Sequence, residues 1–140
     1  MDIRISDILP QDAKDIRIAV FVDEQGFYDE FDKDDDASVH LVAYIENKAA
    51  ATARVFFDKV QNRYIIGRIA VVKEQRKNGL GAEIVRAAEN VIKERGGGTA
   101  YIHAQQRAVG FYRKIGYTAF GETELEQGYP HTWMKKALKP

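Results

Sequence analysis

The chain has 140 residues, 45% hydrophobic and 30% charged, which predicts one folded domain over residues 1–140 with a sizeable core. Its 21 Lys and Arg balance its 21 Asp and Glu, so nothing in the overall charge points to nucleic acid, and the lack of cysteine excludes disulfides, thiolate metal ligands and a cysteine nucleophile. No apolar run approaches the ~20 residues of a membrane span, and Met1-Asp2-Ile3-Arg4 lacks a signal-peptide layout, so a cytoplasmic location with no membrane partner is expected.

Ile3 and Ile5 alternate with polar neighbours, which predicts a short first strand. Pro10-Gln11-Asp12 opens a helix, with Ile16, Ala19, Val20 and Asp23 at helical spacing and Gly26 as its stop. Residues 27–37 read as a loop. Strands are expected at 39–46, 49–58 and 63–72. Their short connections, Asn47-Lys48 and 59–62, suggest an antiparallel meander. A helix over 80–95 carries Leu80, Ile84, Ala87, Ala88, Val91 and Ile92 as its apolar stripe and Glu89 to Lys93 as an i,i+4 pair. Gly96-Gly97-Gly98 ends it. A buried strand at 99–103 precedes a short helix at 107–115, with Ala108, Phe111 and Ile115 on one face and Gly116 as its cap. Strands at 117–125 and 131–138 complete the order. The unit from 64 to 103 should be parallel and the rest mainly antiparallel. The fold class is therefore α/β (α+β), a mixed, mostly antiparallel sheet of six to seven strands with helices on both faces.

The most informative stretch is Arg76-Lys77-Asn78-Gly79-Leu80-Gly81-Ala82, a basic, glycine-bearing turn between a strand and a helix start. The first amides of a helix lack internal partners and sit at the positive end of its dipole, and glycines let the backbone approach an anion closely. The stretch reads as a phosphate cradle; its alternative is a strand–helix turn whose glycines serve only packing. A dinucleotide fingerprint fits worse, because Ile84 stands where a third glycine belongs, and no Gly-Lys-Ser/Thr follows to make a Walker loop.

A second cluster is acidic. Asp29, Glu30, Asp32, Asp34, Asp35 and Asp36 crowd eight residues. A calcium loop is rejected because Ala37 and Ala43 replace the required glycine and bidentate glutamate. The loop could attract a cationic amine or simply be solvated. Arg54 and Arg68 could bind an anionic group or make structural ion pairs, and Phe27, Tyr28 and Phe31 could wall a pocket or pack the loop onto the sheet. His40 reads as structural.

Three pieces together resemble the GNAT superfamily of N-acetyltransferases. Arg76-x-x-Gly79-x-Gly81-Ala82 after Gly67-Arg68-Ile69-Ala70-Val71 is similar to its acetyl-CoA motif. Ala104-Gln105 followed by Phe111-Tyr112-x-x-x-Gly116-Tyr117 is similar to its second cofactor segment, and the element order matches over nearly the whole chain. Phe21-Val22-Asp23-Glu24-Gln25-Gly26 and the segment from Glu122 to Met134 resemble the ElaA-type group.

The resemblance implies that the amides of Asn78, Gly79, Leu80, Gly81 and Ala82, with Arg76 and Lys77, face the diphosphate of coenzyme A. The backbone of Ile69, Ala70 and Val71 would pair with the pantetheine arm, an amide near Ala70 would meet the thioester oxyanion, and Gln105 and Phe111 would complete the cofactor site. It makes Tyr112 the hydrogen-bond donor to the sulfur, where the alternative is a half-buried helix tyrosine. An amine must lose a proton to attack, and Glu24, His103 and His131 are the candidates for its base, with a water relay also open. The implied activity is direct acetyl transfer to the amine of a small molecule or peptide, with acetyl-CoA as co-substrate and no metal. The superfamily often forms homodimers. A non-catalytic acyl-CoA sensor is the rival class.

Overall fold

The computed structural model describes residues 1–28 and 30–139. Asp29, part of the acidic run, lies outside them. Seven strands form one sheet in the order β1–β2–β3–β4–β5–β7–β6. They are β1 (Asp2–Ser6), β2 (Val39–Ile45), β3 (Lys48–Asp58), β4 (Arg63–Val71), β5 (Thr99–Gln105), β6 (Thr118–Glu126) and β7 (Tyr129–Ala137). Neighbours run antiparallel except β4 and β5, which are parallel across the intervening helix.

Two hairpins differ from their expected bounds because of turn chemistry. Glu46 and Asn47 both take positive φ, 50° and 67°, and join the paired residues Ile45 and Lys48. That is the twist-matched two-residue turn, so Lys48 already belongs to a strand. Gln127 and Gly128, at φ 49° and 83°, do the same between Glu126 and Tyr129. The last strand therefore begins two residues earlier than expected, and Pro130 is part of it.

Both faces of the sheet are covered. Helix α2 (Leu80–Glu94) packs Leu80, Ile84, Val85, Ala88, Val91 and Ile92 onto Leu41, Ala43, Ala53, Val55, Ile66, Ile102 and Ala104. On the opposite face α1 (Gln11–Arg17) and its continuation bury Ala13, Ile16, Val20 and Phe21 against Val42, Tyr44 and Ala70. Burial of these aliphatic side chains, at roughly 1.5–3 kcal/mol each, supplies most of the drive to fold.

Three local differences from the expected pattern have physical reasons. The first helix changes from α to π geometry at Ile18–Glu24, and the wider turn rotates its second half. Ala19 and Asp23 consequently face solvent while Phe21 turns inward. Glu89 is buried and accepts from Tyr117 Oη (2.7 Å) and Lys136 Nζ (3.1 Å), so it is not an exposed partner of Lys93. A 3-10 turn at Gln106–Ala108 shifts the phase of α3 (Val109–Lys114), which buries Val109 and Tyr112 rather than Phe111. Among the described residues no helix is long and apolar enough to cross a membrane.

Candidate active site

The sheet opens along one seam. β4 and β5 share only the rungs Tyr64↔Ala100 and Ile65↔Tyr101, after which their paths separate. On its other edge β4 stays paired to β3, but the register slips between Thr52↔Ala70 and Arg54↔Gly67. Arg68 sits in this slip at φ 49°, a β-bulge that re-aims the strand. A cavity of about 740 Å³ occupies the split, with residues 65–69 of β4 on one wall and 102–105 of β5 on the other. Ile69, Ala70 and Val71 have no β5 partner on this edge; Val71 O accepts from Arg76 Nε instead, which leaves backbone groups of Ile69 and Ala70 available to an extended ligand.

The start of α2 stands beside the seam. Lys77 (φ 71°) and Gly79 (φ 77°) bend the chain into the helix, and Gly79 caps it without a side chain. Glu83 N–H is the amide that bonds back to Gly79 O, at 3.2 Å. The N–H groups of Leu80, Gly81 and Ala82 precede that first helical bond. A Cβ on Gly79 would meet nothing within 4 Å, whereas one on Gly81 would lie 3.1 Å from Phe111 Cζ. Phe111 thus closes one side of the cradle. Free amides at a glycine-bearing helix start are groups that can hold a diphosphate.

Arg76 behaves differently from the expectation that it lends charge to those amides. Its Nη1 and Nη2 donate to the Glu24 carboxylate at 2.9 and 2.8 Å, and its Nε donates to Val71 O at 3.0 Å. The Arg76 hydrogen bonds hold the Glu24 carboxyl below its ordinary range. Glu24 does not line the cavity, so the geometry disfavours it as a base. Gln105 lines the cavity and donates to Gln25 Oε1 at 2.9 Å. Asn78 donates to Gln75 at 3.3 Å.

Tyr112 reaches the cavity from α3, on the α2 side of the sheet. Burial pushes its phenol up, so it stays protonated and can donate. His103 lies on the opposite side, on β5. Its ring stacks on Trp133 at 4.5 Å and 21°, and its Nε2 is buried without a hydrogen-bond partner. Burial pulls His103 below the ordinary imidazole value, with Glu126 opposing, so the ring is neutral at neutral pH. Carboxylates stand near both ring nitrogens, Glu126 3.9 Å from Nδ1 and Glu124 4.0 Å from Nε2, and neither is close enough for a hydrogen bond. His131 Nδ1 donates to Tyr129 O at 2.9 Å, and its Nε2 lies 3.4 Å from the Glu126 carboxylate. Of the three carboxylate and imidazole candidates, His103 and His131 line the cavity, and His103 makes no hydrogen bond through its buried Nε2.

The acidic run is neither a solvated loop nor a free cation trap. Glu30 and Asp35 are buried and, with Asp32, hold three arginines. Arg17 donates to Glu30 (2.8 Å) and Asp35 (2.8 Å), Arg54 to Asp32 (2.6 Å) and Asp35 (2.9 Å), and Arg68 pairs with Glu30 (2.9 Å). Burial alone would raise Asp35, but the hydrogen bonds and charges of Arg17 and Arg54 overcome it and hold the carboxyl at about 2. Burial pushes Glu30 up against the same arginines, which makes it the member that protonates first as pH falls. Arg54 and Arg68 are therefore structural ion pairs. His40 is structural too, with Nε2 2.9 Å from Asp35 O. Phe27 packs inward on Phe21, Tyr129 and His131, while Tyr28 and Phe31 are exposed. Sequence reading missed Arg17. Its signal was present, because it shares the i, i+3, i+4, i+7 stripe of Ala13, Ile16 and Val20, which marks a buried charge in need of partners.

The sequence profile of the acetyltransferase (GNAT) domain matches residues 8–138. A Bacillus subtilis (strain 168) protein that carries an acetyltransferase name is 41% identical over 129 residues, covering 89% of this chain and 86% of that one. The fold superposes on Escherichia coli ElaA with TM-score 0.85 at 23% identity, covering 97% and 99% of the two chains. It also superposes on an aminoglycoside 6'-N-acetyltransferase complexed with coenzyme A, with TM-score 0.79 at 17% identity over 100% and 98%.

Proposed function

The chain belongs to the GNAT acetyltransferase family, and from that premise we propose that it transfers the acetyl group of acetyl-CoA to a primary amine by direct attack in a ternary complex. The observation that carries the reading is the parting of β4 from β5 after two rungs, beside an uncapped start of α2. Amides of Leu80, Gly81 and Ala82 hold the diphosphate, with Asn78 and Gly79 shaping the turn and Lys77 adding charge. The free edge at Ile69 and Ala70 takes the pantetheine arm as an added strand. Acetyl-CoA supplies the activated thioester.

The protein's contribution is positioning and charge. His103 Nε2 accepts a proton from the amine as its nitrogen bonds to the acyl carbon. An amide near Ala70, next to the Arg68 bulge, donates to the carbonyl oxygen as charge develops there. Tyr112 donates to the sulfur as the carbon–sulfur bond breaks. Bond made and bond broken balance without a covalent enzyme intermediate. The test is thiol release from acetyl-CoA across a panel of amines and peptide N-termini. Amine-dependent release supports the reading. Tight CoA binding with no release from any acceptor would make the protein an acyl-CoA sensor.

A further inference from the structure

Among the described residues two buried side-chain polar atoms make no hydrogen bond, although one of them, His103 Nε2, has the Glu124 carboxylate 4.0 Å away. Arg54 is 4% exposed; its Nη1 and Nη2 are spent on Asp32 and Asp35, yet its Nε has no partner. His103 Nε2 is the other buried atom without one. Next to Arg54 stands Gly67. It pairs with Arg54 across the β3–β4 ladder. It sits two residues past the rung Ile65↔Tyr101, as His103 does on β5. All three line the cavity, and Arg54 Nε, at 3.7 Å, is the only atom within 4 Å of where a Gly67 Cβ would stand. The missing side chain leaves a gap beside Arg54 Nε.

The chemistry of the gap limits what can fill it. An arginine Nε–H can only donate, so Arg54 calls for an oxygen acceptor. The surrounding network sets Arg17, Arg54 and Arg68 against Glu30, Asp32 and Asp35, so its charges already balance and a carboxylate finds no spare cation. The oxygen is therefore neutral. We propose that the acceptor is a primary amine whose carbon chain carries a neutral oxygen, as a hydroxyl or an amide carbonyl. That oxygen sits over Gly67 and accepts from Arg54 Nε–H, while the amine faces His103. This specificity site rests on the acetyltransferase reading above, but its geometry can be tested apart from turnover.

Gly67→Ala is the discriminating change. Gly67 has no positive φ, and a Cβ 3.7 Å from Arg54 Nε is an ordinary contact, so the variant should fold and keep its cofactor site. Thiol release is measured with propylamine, 1-amino-2-propanol, glycinamide and glycine for wild type and variant. In wild type the hydroxyl or carbonyl amine should exceed propylamine by about tenfold in kcat/KM, the worth of one buried hydrogen bond, and glycine should gain nothing. Gly67→Ala should remove that advantage, bringing the hydroxyl and carbonyl amines down to the propylamine rate of the same variant. Comparing each acceptor between the two proteins cancels differences in amine basicity, and the hydroxyl and carbonyl arms separate the two oxygen sources. No preference in wild type, or equal loss for every amine in the variant, overturns the proposal. If no amine releases thiol, the transfer reading fails for these acceptors while the site is still decided by NMR. On the CoA-saturated protein, 1-amino-2-propanol or glycinamide should shift the Arg54 Nε–H resonance in wild type and not in Gly67→Ala. An unmoved resonance overturns it.

Discussion

Asp35→Ala should be the most damaging single change outside the seam. Asp35 accepts from Arg17 Nη1 (2.8 Å) and Nη2 (3.1 Å), from Arg54 Nη1 (2.9 Å) and from Asp32 N–H (3.1 Å). Its carboxyl falls from the ordinary 3.8 to about 2. At about 1.4 kcal/mol per pH unit, that difference is worth roughly 2–3 kcal/mol of folding free energy at neutral pH. Truncation costs more, because Arg17, 1% exposed, would keep a buried charge with one partner fewer. Breaking a buried pair from one side costs about 3–5 kcal/mol. For a chain of this size that lowers Tm by roughly 10–15 °C. The sign with pH follows from the depressed value: the contribution is complete above 3.8 and disappears as pH falls toward 2. Urea unfolding of wild type and variant should show a gap that is wide at neutral pH and narrows below pH ~4. A gap under about 1 kcal/mol at pH 7 would mean that the network contributes no more than exposed pairs do.

Tyr112→Phe should lower kcat about tenfold or more while leaving CoA affinity intact; parallel loss of both would point to packing instead. His103→Gln should cost about 10²-fold in kcat/KM. In wild type the rate should rise with pH through an inflection below 6.5, the side to which burial moves His103, and that limb should be missing in the variant. An unchanged profile would remove His103 as the base. Glu24→Gln should reduce turnover by less than about threefold, whereas loss of a general base costs about 10²–10⁴-fold. A drop of that larger size would reinstate Glu24.

The sheet and the glycine-bearing start of α2 were legible in the sequence because they rest on local signals. Turn-bounded runs with short connections marked β2 to β4, and Gly79 and Gly81 marked the start of a helix after a strand. What escaped depends on distant partners. Glu24 and Arg76 are 52 positions apart, and no local pattern reports that they neutralise each other. The run from Glu30 to Asp36 looked solvated because its countercharges sit on α1, β3 and β4. The wide turn at Ile18–Glu24 breaks the spacing that placed Ala19 and Asp23 on the apolar stripe. His103 could be named from its strand position, but its preference over His131 rests on hydrogen bonds that only the folded chain displays.

The account stands most directly on where coenzyme A binds. Isothermal titration of CoA into wild type and Gly81→Glu measures this without any need for an acceptor. The substitution adds a side chain 3.1 Å from Phe111 and a negative charge at the start of α2. Wild type should bind one CoA per chain, and the variant, with unchanged Tm, should bind at least about 100-fold more weakly, a loss near 2.7 kcal/mol. Equal affinity in the two proteins would contradict the account, because the diphosphate would then lie away from the amides of Leu80, Gly81 and Ala82.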